Sequence, residues 1–460
     1  MSISGGGTSD SVKVAPGAAP SSYRGALAMV TTLFFIWGFL TSLNDILIPH
    51  LKAIFDLNYA EVMLVQFAFF TSYAIFGYPS GKVVEWIGYQ RTMVVGLFTM
   101  ALGAILFIPA ADLPSYPLFL AALIVLAAGM TALQVSANPY VTVLGPPQTA
   151  SSRLNLAQAF NSLGTTVGPP LGGFLILKGA EQLVENVKTM PPAALHAYRL
   201  QQAATVKMPY LVFTLALVLV GLAIAWYKFP RIDTTKDFRP IKGARHHTSI
   251  WAYPHVVLGA VAIFVYVGAE VSIGSFLINY FGQSYIAGIA ALAAANLVPF
   301  YWGGAMVGRF IGSGLLQKMK THSLVAICAV VAMALTLVSM STSFTSGVIT
   351  ALPLHIFHWH GTLFLPHSWP VWSILAVGLF NSIMFPSIFT LGIAEMGPLT
   401  GEASGLLVIA IVGGAIIPEI QGVLADHIGI HHAFIIPVLC YMYITYYGLR
   451  GYRIIQPKSN

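Results

Sequence analysis

Long runs of apolar residues recur along the chain, separated by short polar stretches. Each run is long enough for an α-helix to cross a lipid bilayer, which needs about 20 residues. None shows the alternation of apolar and polar residues that is typical of membrane β-barrels. The pattern therefore predicts twelve membrane-spanning helices, near residues 25–51, 60–81, 92–111, 116–144, 153–177, 208–228, 252–280, 286–316, 323–341, 371–395, 403–425 and 431–449.

A polar segment divides the predicted helices into two sets of six, which favours an all-α membrane protein built from two pseudo-symmetric six-helix bundles. Within residues 228–247 this segment holds six basic residues and no long apolar run. The predicted regions are a disordered N-terminal tail at 1–22, an N-terminal bundle at 23–228, a cytoplasmic linker at 229–250, a C-terminal bundle at 251–450 and a C-terminal tail at 451–460.

The two predicted halves repeat one another in sequence. Gly164 and Pro169 in the fifth span recur with identical spacing as Gly413 and Pro418 in the eleventh. A duplicated bundle is typical of secondary transporters, whose halves rock about a central binding site. The repeat therefore predicts transport by alternating access.

Composition and charge support a membrane location. Hydrophobic residues make up 57% of the chain and charged residues 8%, against about 25% charged residues in soluble proteins. If both termini are cytoplasmic, most of the 22 lysines and arginines, Arg309 among them, lie in cytoplasmic loops and helix flanks, as the positive-inside rule requires. The basic residues predicted outside are Lys52, Lys178, Lys188, Arg199 and Lys207. The net charge of +7 thus indicates topology, and we expect a monomer in the inner (plasma) membrane that contacts lipid and no nucleic acid.

Polar side chains inside the predicted spans fall into stripes at helical spacing. The candidate sugar contacts are Trp37, Asn44, Gln134, Asn138, Gln158, Asn161, Glu270 and Asn381. Amides can both donate to and accept from sugar hydroxyls, and an indole ring can stack on the C–H face of a sugar. For each amide the alternative is a structural hydrogen bond between helices, worth about 0.6 kcal/mol. Their concentration on the first, fourth, fifth, seventh and tenth spans favours a binding site.

Asp45 and Glu270 are the acids that lie deepest in the predicted spans. An aspartate at the centre of a membrane helix costs about 2.5 to 3.5 kcal/mol, so it normally faces a partner or a water-filled cavity. We predict that these two acids couple a cation, either a proton or sodium, to transport; a structural carboxylate is the alternative. No cofactor is expected, because the stretch Gly77–Val83 lacks the spacing of a nucleotide-binding P-loop.

Two other function classes are less favoured by the residues. A histidine cluster, His355, His358, His360 and His367, surrounds Trp359 between the ninth and tenth spans. It could serve a membrane-embedded enzyme or a metal site, but it lacks the accompanying carboxylate and nucleophile, so we predict neither enzyme nor metal site. A drug or lipid exporter would need a more apolar, aromatic cavity than the amide stripes provide.

Several segments resemble the fucose:proton symporter family of the major facilitator superfamily. They are Leu43–Leu47, Ala137–Gly145, Arg153–Ser162, Tyr266–Ala269 and Gly308–Phe310, together with a worn form of the superfamily's signature loop at Gly81–Arg91. The resemblance implies a sugar site between the two halves and a cation that moves with the sugar.

The resemblance also implies roles for individual residues. The family's first-span aspartate matches Asp45, whereas its fourth-span glutamate is Gln134 here, and the glutamine of its Tyr-Val-Gly-Ala-Gln segment is Glu270 here. In these departures the chain resembles the glucose/galactose branch of the family. The expected function is therefore cation-coupled symport of a neutral hexose, glucose or galactose, with a fucose or N-acetylglucosamine symporter of the same family as the alternative.

Overall fold

The computed structural model describes residues 20–55, 59–113, 115–172, 206–230, 249–341, 349–356 and 359–454, with isolated positions between 191 and 204. The predicted N-terminal tail up to residue 19, most of the predicted linker and the last residues of the C-terminal tail lie outside these ranges. Within them the chain is almost entirely helical, as its hydropathy predicts.

Six long helices form the first half of the molecule. They are α1 (Pro20–Phe55), α2 (Tyr59–Ile87), α3 (Tyr89–Asp112), α4 (Tyr116–Val143), α5 (Ala150–Gly172) and α6 (Lys207–Trp226). Each continuous apolar run becomes one helix because only intrahelical hydrogen bonds can satisfy the backbone in lipid. Helix α1 packs on α5, and α3 packs on both α4 and α6.

The second half also has six membrane helices, several of them interrupted. They are α7 (Pro254–Phe281), α8a (Ala291–Ala295) with α8b (Val298–Leu315), α9 (Thr321–Ser341), α10a (Trp369–Asn381) with α10b (Met384–Gly392), α11a (Thr400–Ile409) with α11b (Gly413–Ile428), and α12 (Ile435–Tyr446). The twelve predicted spans are therefore confirmed. Eight helical segments of the described residues are, by length and composition, apolar enough to cross a membrane.

Two local features differ from the sequence predictions. The signature segment Gly81–Arg91, expected to be a loop, is mostly helix, because α2 continues to Ile87 and the turn is confined to Gly88. Gly88 has φ of 82°, a conformation that favours glycine. Between α9 and α10a, an antiparallel hairpin pairs β1 (Ile349–Ile356) with β2 (Trp359–Pro366). The sequence did not predict these strands.

Contacts at equivalent glycines reflect the sequence repeat. A Cβ atom on Gly164 of α5 would overlap the carbonyl group of Phe35 in α1, and one on Gly413 would overlap the carbonyl group of Phe264 in α7. The fifth and eleventh spans therefore approach the first span of their own half in the same way. Across the interface between the halves, α2 packs on α11a and α5 packs on α8b.

Candidate functional site

A hydrogen-bonded cluster surrounds Asn381 in the second half of the molecule. The Asn381 side chain donates to the Tyr301 hydroxyl at 2.8 Å and accepts from the Tyr441 hydroxyl at 2.8 Å. The Tyr266 hydroxyl lies 2.8 Å from a Glu270 carboxylate oxygen and 3.1 Å from the Asn381 carbonyl oxygen. Four helices, α7, α8b, α10a and α12, thus converge on one buried amide. The structure brings the predicted residues Glu270 and Asn381 together here.

Arg309 connects this cluster to the first half of the molecule. Its guanidinium group lies 3.8 Å from the Glu270 carboxylate, donates to the Ser382 carbonyl at 3.2 Å, and donates to the Ser162 hydroxyl on α5. The Asn155 side chain of α5 in turn donates to the Arg309 carbonyl at 2.6 Å. The side chains of Arg309 and Glu270 are only 14% and 12% exposed. Each charge therefore supplies the partner that the other needs at this depth.

The sequence interpretation placed Arg309 wrongly. It counted this residue among the cytoplasmic flanking charges, whereas the structure places it inside α8b, between Gly308 and Phe310. Its position within the predicted span 286–316 was the available signal, since a basic residue so far inside a span is itself a candidate functional residue.

A second polar cluster lies in the first half of the molecule. The Gln134 side chain of α4 donates to the Tyr73 hydroxyl at 2.9 Å, and Gln158 of α5 donates to the Asn138 side-chain oxygen at 3.4 Å. Gln134, Asn138 and Gln158 are 3%, 0% and 5% exposed. Gln134 Oε1 and Asn138 Nδ2 have no hydrogen-bond partner among the described residues. One acceptor and one donor thus remain open in a buried polar layer.

Two further predicted residues lie where α1 meets α5. Asn161 donates through its side chain to the Phe34 carbonyl at 3.0 Å, which ties the two helices together. Trp37 is 8% exposed, and its ring centroid lies 5.4 Å from that of Phe34 at an angle of 52°. Asn161 directly precedes Ser162, the residue that receives the Arg309 hydrogen bond. The two clusters therefore adjoin one another through α5.

Asn44 and Asp45 lie on α1, shortly after Ser42. Ser42 packs against Gly168 of α5, where a Cβ atom on the glycine would overlap the Ser42 hydroxyl group. The side chains of Asn44 and Asp45 themselves lie outside the described part of the structure, so their proposed roles depend on the sequence.

Hydrogen bonds and ion pairs between the two halves extend from this central region toward one end of the helices. Lys82 of α2 forms an ion pair with Glu402 of α11a, and Glu85 accepts a hydrogen bond from the Glu402 backbone N–H at 3.2 Å. On the opposite flank, Ser152 of α5 donates to the Ser313 carbonyl at 2.6 Å. These contacts close the space between the halves at the end of the helices nearest the linker.

A Cβ atom on Gly81 would come within 2.6 Å of the Gly401 carbonyl oxygen, and one on Gly405 within 2.7 Å of the Gly77 carbonyl oxygen. These four glycines therefore let the α2 and α11a backbones approach closely. Among the described residues there is no group of three or more histidines, cysteines, aspartates or glutamates that could hold a metal ion.

Comparison with known proteins decides the family. The model of the Major Facilitator Superfamily matches residues 30–418. The chain belongs to the major facilitator superfamily. It is therefore a membrane transporter and not an enzyme.

Among individual members of this superfamily, the chain is 48% identical over 430 residues to a glucose/galactose transporter of Brucella abortus, which covers 94% of this chain and 95% of the relative. It is 35% identical over 427 residues to the L-fucose-proton symporter of Escherichia coli, with 92% of each chain covered. The crystal structure of the superfamily transporter FucP in the outward conformation superposes with a TM-score of 0.81 at 33% identity, covering 94% of this chain and 99% of that one.

Proposed function

We propose that this transporter carries a neutral hexose, glucose or galactose, across the membrane together with a cation, by alternating access. The observation that carries the proposal is the pair of open hydrogen-bonding atoms in the buried polar layer, Gln134 Oε1 and Asn138 Nδ2. A buried amide atom without a partner costs about 1 to 3 kcal/mol, which a sugar hydroxyl can recover because it both donates and accepts. The glucose/galactose transporter of Brucella abortus, 48% identical, supports the hexose.

The proposed sugar contacts occupy both halves of the central region. Trp37 offers a ring for stacking, and Asn44, Gln134, Asn138, Gln158 and Asn161 offer amides from the first half. Glu270 and Asn381 offer a carboxylate and an amide from the second half. The sugar thus contacts helices on both sides of the interface, as alternating access requires.

Asp45 is the proposed coupling acid. Glu270 is already engaged by Arg309 at 3.8 Å and by the Tyr266 hydroxyl at 2.8 Å, so its charge is balanced within the protein. It is therefore better suited to hold a sugar hydroxyl and to share the coupling role than to exchange a cation alone. The relative named as a proton symporter favours a proton over sodium as the coupling ion.

The proposed setting is a monomer in the inner membrane with both termini in the cytoplasm. In that orientation the contacts of Lys82, Glu85 and Ser152 with the second half lie on the cytoplasmic side. Closure on that side corresponds to an outward-facing state, in keeping with the outward conformation of the superposed transporter.

Uptake into proteoliposomes tests the proposal. The purified protein is given labelled glucose, galactose, fucose and N-acetylglucosamine under separate proton and sodium gradients. We expect glucose or galactose to accumulate against its gradient under the proton gradient. Fucose accumulation would instead support the alternative that the Escherichia coli relative favours, and no accumulation of any sugar would refute the proposal.

A further inference from the structure

A cleft of about 460 Å³ lies between the C-terminal ends of α7 and α11b. This volume falls within the range of small-molecule binding sites. Because α7 starts directly after the linker and runs across the membrane, the cleft lies at the membrane face opposite the linker. It is separate from the central polar clusters. The aromatic and polar residues that line it are Phe276, Asn279, Gln283, Tyr285, Glu419 and Asp426.

The two walls of the cleft carry complementary groups. Asn279 and Gln283 are one helical turn apart, at the end of α7 and in the residues that follow it. Gln283 Nε2 donates to the Asn279 backbone carbonyl at 3.1 Å, which leaves the Gln283 amide oxygen and the Asn279 amide for a ligand. Glu419 and Asp426 are two turns apart on one face of α11b. In the described part of the chain, no hydrogen bond or ion pair engages either carboxylate. Their acceptor oxygens are therefore available to a ligand.

Between the two acids, Gly422 leaves the floor of the cleft open. The nearest heavy atom to a Cβ built at this position is Phe276 Cζ, at 3.6 Å. The Phe276 ring thus borders the space above the glycine. An aromatic face beside a row of carboxylate and amide oxygens is a surface suited to a polyol, whose C–H groups stack while its hydroxyls donate.

A single metal ion fits this cleft less well. Seven residues of α-helix separate Glu419 from Asp426 by about 10.5 Å, whereas a bound calcium ion needs its oxygen ligands within about 2.6 Å. The two carboxylates therefore suit a ligand that extends along the helix, with hydroxyl groups at both ends of the cleft.

A buried polar layer lies between the cleft and the central region. Contacts between α7 and α11b pair Phe264 with Gly413 and Gly268 with Ile417, advancing four residues on each helix. The next layer in this register pairs Ser272 with Gln421, since four residues make about one turn. Both side chains are fully buried, and Ser272 Oγ and both amide atoms of Gln421 have no partner among the described residues.

We propose that this cleft is a second, peripheral hexose-binding site, which holds the sugar at the outer mouth before it reaches the central site. The inference rests on the proposed hexose function and orientation. Removing one of its hydrogen-bonding groups should weaken sugar capture at low concentration. It should not slow the later steps of transport.

Uptake kinetics in proteoliposomes test the role of the cleft. Glu419→Gln and Asp426→Asn remove the acceptor charge, and Gly422→Leu fills the floor without removing a polar group. The control is Glu395→Gln, which alters an exposed carboxylate of the same half at the opposite end of the bundle. Because one net hydrogen bond corresponds to about a 2- to 10-fold change in affinity, we expect the half-saturating glucose concentration to rise by that factor in Glu419→Gln and Asp426→Asn. We also expect it to rise in Gly422→Leu, because the leucine side chain occupies the space of the sugar. Half-saturation equal to that of the control variant would overturn the proposal.

Saturation-transfer NMR measures sugar binding at the cleft without requiring transport. A Gln134→Ala, Asn138→Ala double variant impairs the central site, and D-glucose should still receive saturation from this protein in detergent. Adding Glu419→Gln should raise the glucose concentration at which that signal is half-maximal by about the same 2- to 10-fold, while adding Glu395→Gln should leave it unchanged. No glucose signal from the double variant would refute the peripheral site, even if wild-type uptake confirms the hexose. A wild-type protein that accumulates no hexose but shows the signal would refute the proposed function instead. Thermal unfolding of each variant checks that it is folded.

Discussion

Arg309 contacts two neighbouring segments of its own half and one helix of the other half, and only the last of these contacts must change if the halves rock. Its guanidinium group contacts Glu270 on α7 and the Ser382 carbonyl at the α10 break, and it reaches Ser162 in the other half. A charge this deep in the bundle is tolerated because Nε and Nη1 donate to oxygens of Ser382 and Ser162, and Nη2 lies 3.8 Å from the Glu270 carboxylate. The pair also fixes the Glu270 carboxylate beside the proposed sugar site.

Substituting one member of the Arg309–Glu270 pair should destabilise the protein more than substituting both. Arg309→Met leaves Glu270 as an unpaired buried charge, at a cost of about 3 to 5 kcal/mol. Adding Glu270→Gln removes that charge, so the double variant should recover much of the loss. Thermal unfolding of the wild type, both single variants and the double variant measures the coupling. Additive effects of the two substitutions would show that the residues do not act as a pair.

Asp45→Asn tests the proposed coupling acid. The substitution keeps the size of the side chain but removes the charge that would bind a proton or cation. We expect loss of uphill sugar accumulation, while exchange of labelled for unlabelled sugar continues, because exchange does not require net cation movement. Counterflow and gradient-driven uptake in the same vesicles separate the two activities. Accumulation at the wild-type level would exclude Asp45 as the coupling residue.

At the level of elements, the close contact of α2 and α11a at Gly77, Gly81, Gly401 and Gly405 limits how the halves close. We call this contact the glycine crossing. Gly405 has no room for a side chain, because a Cβ atom would lie 2.7 Å from the Gly77 carbonyl oxygen. Gly303 of α8b is a matched helical glycine, where an added Cβ would meet nothing within 4 Å. Gly303→Ala should stabilise its helix by up to about 1 kcal/mol, as alanine does in exposed helical positions. Gly405→Ala should instead force the two helices apart.

Spin-label distances can detect this separation. Labels on Trp86 and Met319, both exposed residues near the linker side of opposite halves, report the width of the interface there. We expect a longer mean distance in Gly405→Ala and an unchanged distance in Gly303→Ala. Equal distances in both variants would show that the crossing does not control closure.

The elements also show what the sequence could and could not predict. The spans follow from hydropathy because a membrane helix satisfies its own backbone, so local sequence is sufficient. The break between Asn381 and Met384 and the β1–β2 hairpin were not predicted. The polar stripes indicated Glu270, Gln134 and Asn381 as candidates. Their partners, among them Tyr73 and Tyr441, lie far away in sequence and depend on how the helices pack.

At the level of the whole molecule, two flanking contacts hold the halves together on the linker side. One consists of Lys82, Glu85 and Glu402, and the other of Ser152 with Ser313. Both must break if the central site is to open on this side. Of the two, the ion pair can be tested directly by charge reversal.

Reversing one charge of the Lys82–Glu402 pair should therefore favour opening on the linker side, and reversing both charges should restore closure there. Lys82→Glu and Glu402→Lys each place like charges together, so each single variant should favour opening on this side and slow sugar uptake. The double variant re-forms the pair with opposite polarity and should recover uptake and the wild-type spin-label distance. The control is the same exchange at Lys207 and Asp112, an ion pair within the first half that lies away from the interface. A double variant whose uptake is no better than that of the worse single variant would show that this pair does not link the halves. Because salt screens exposed charges, recovery of uptake should be clearest at low ionic strength.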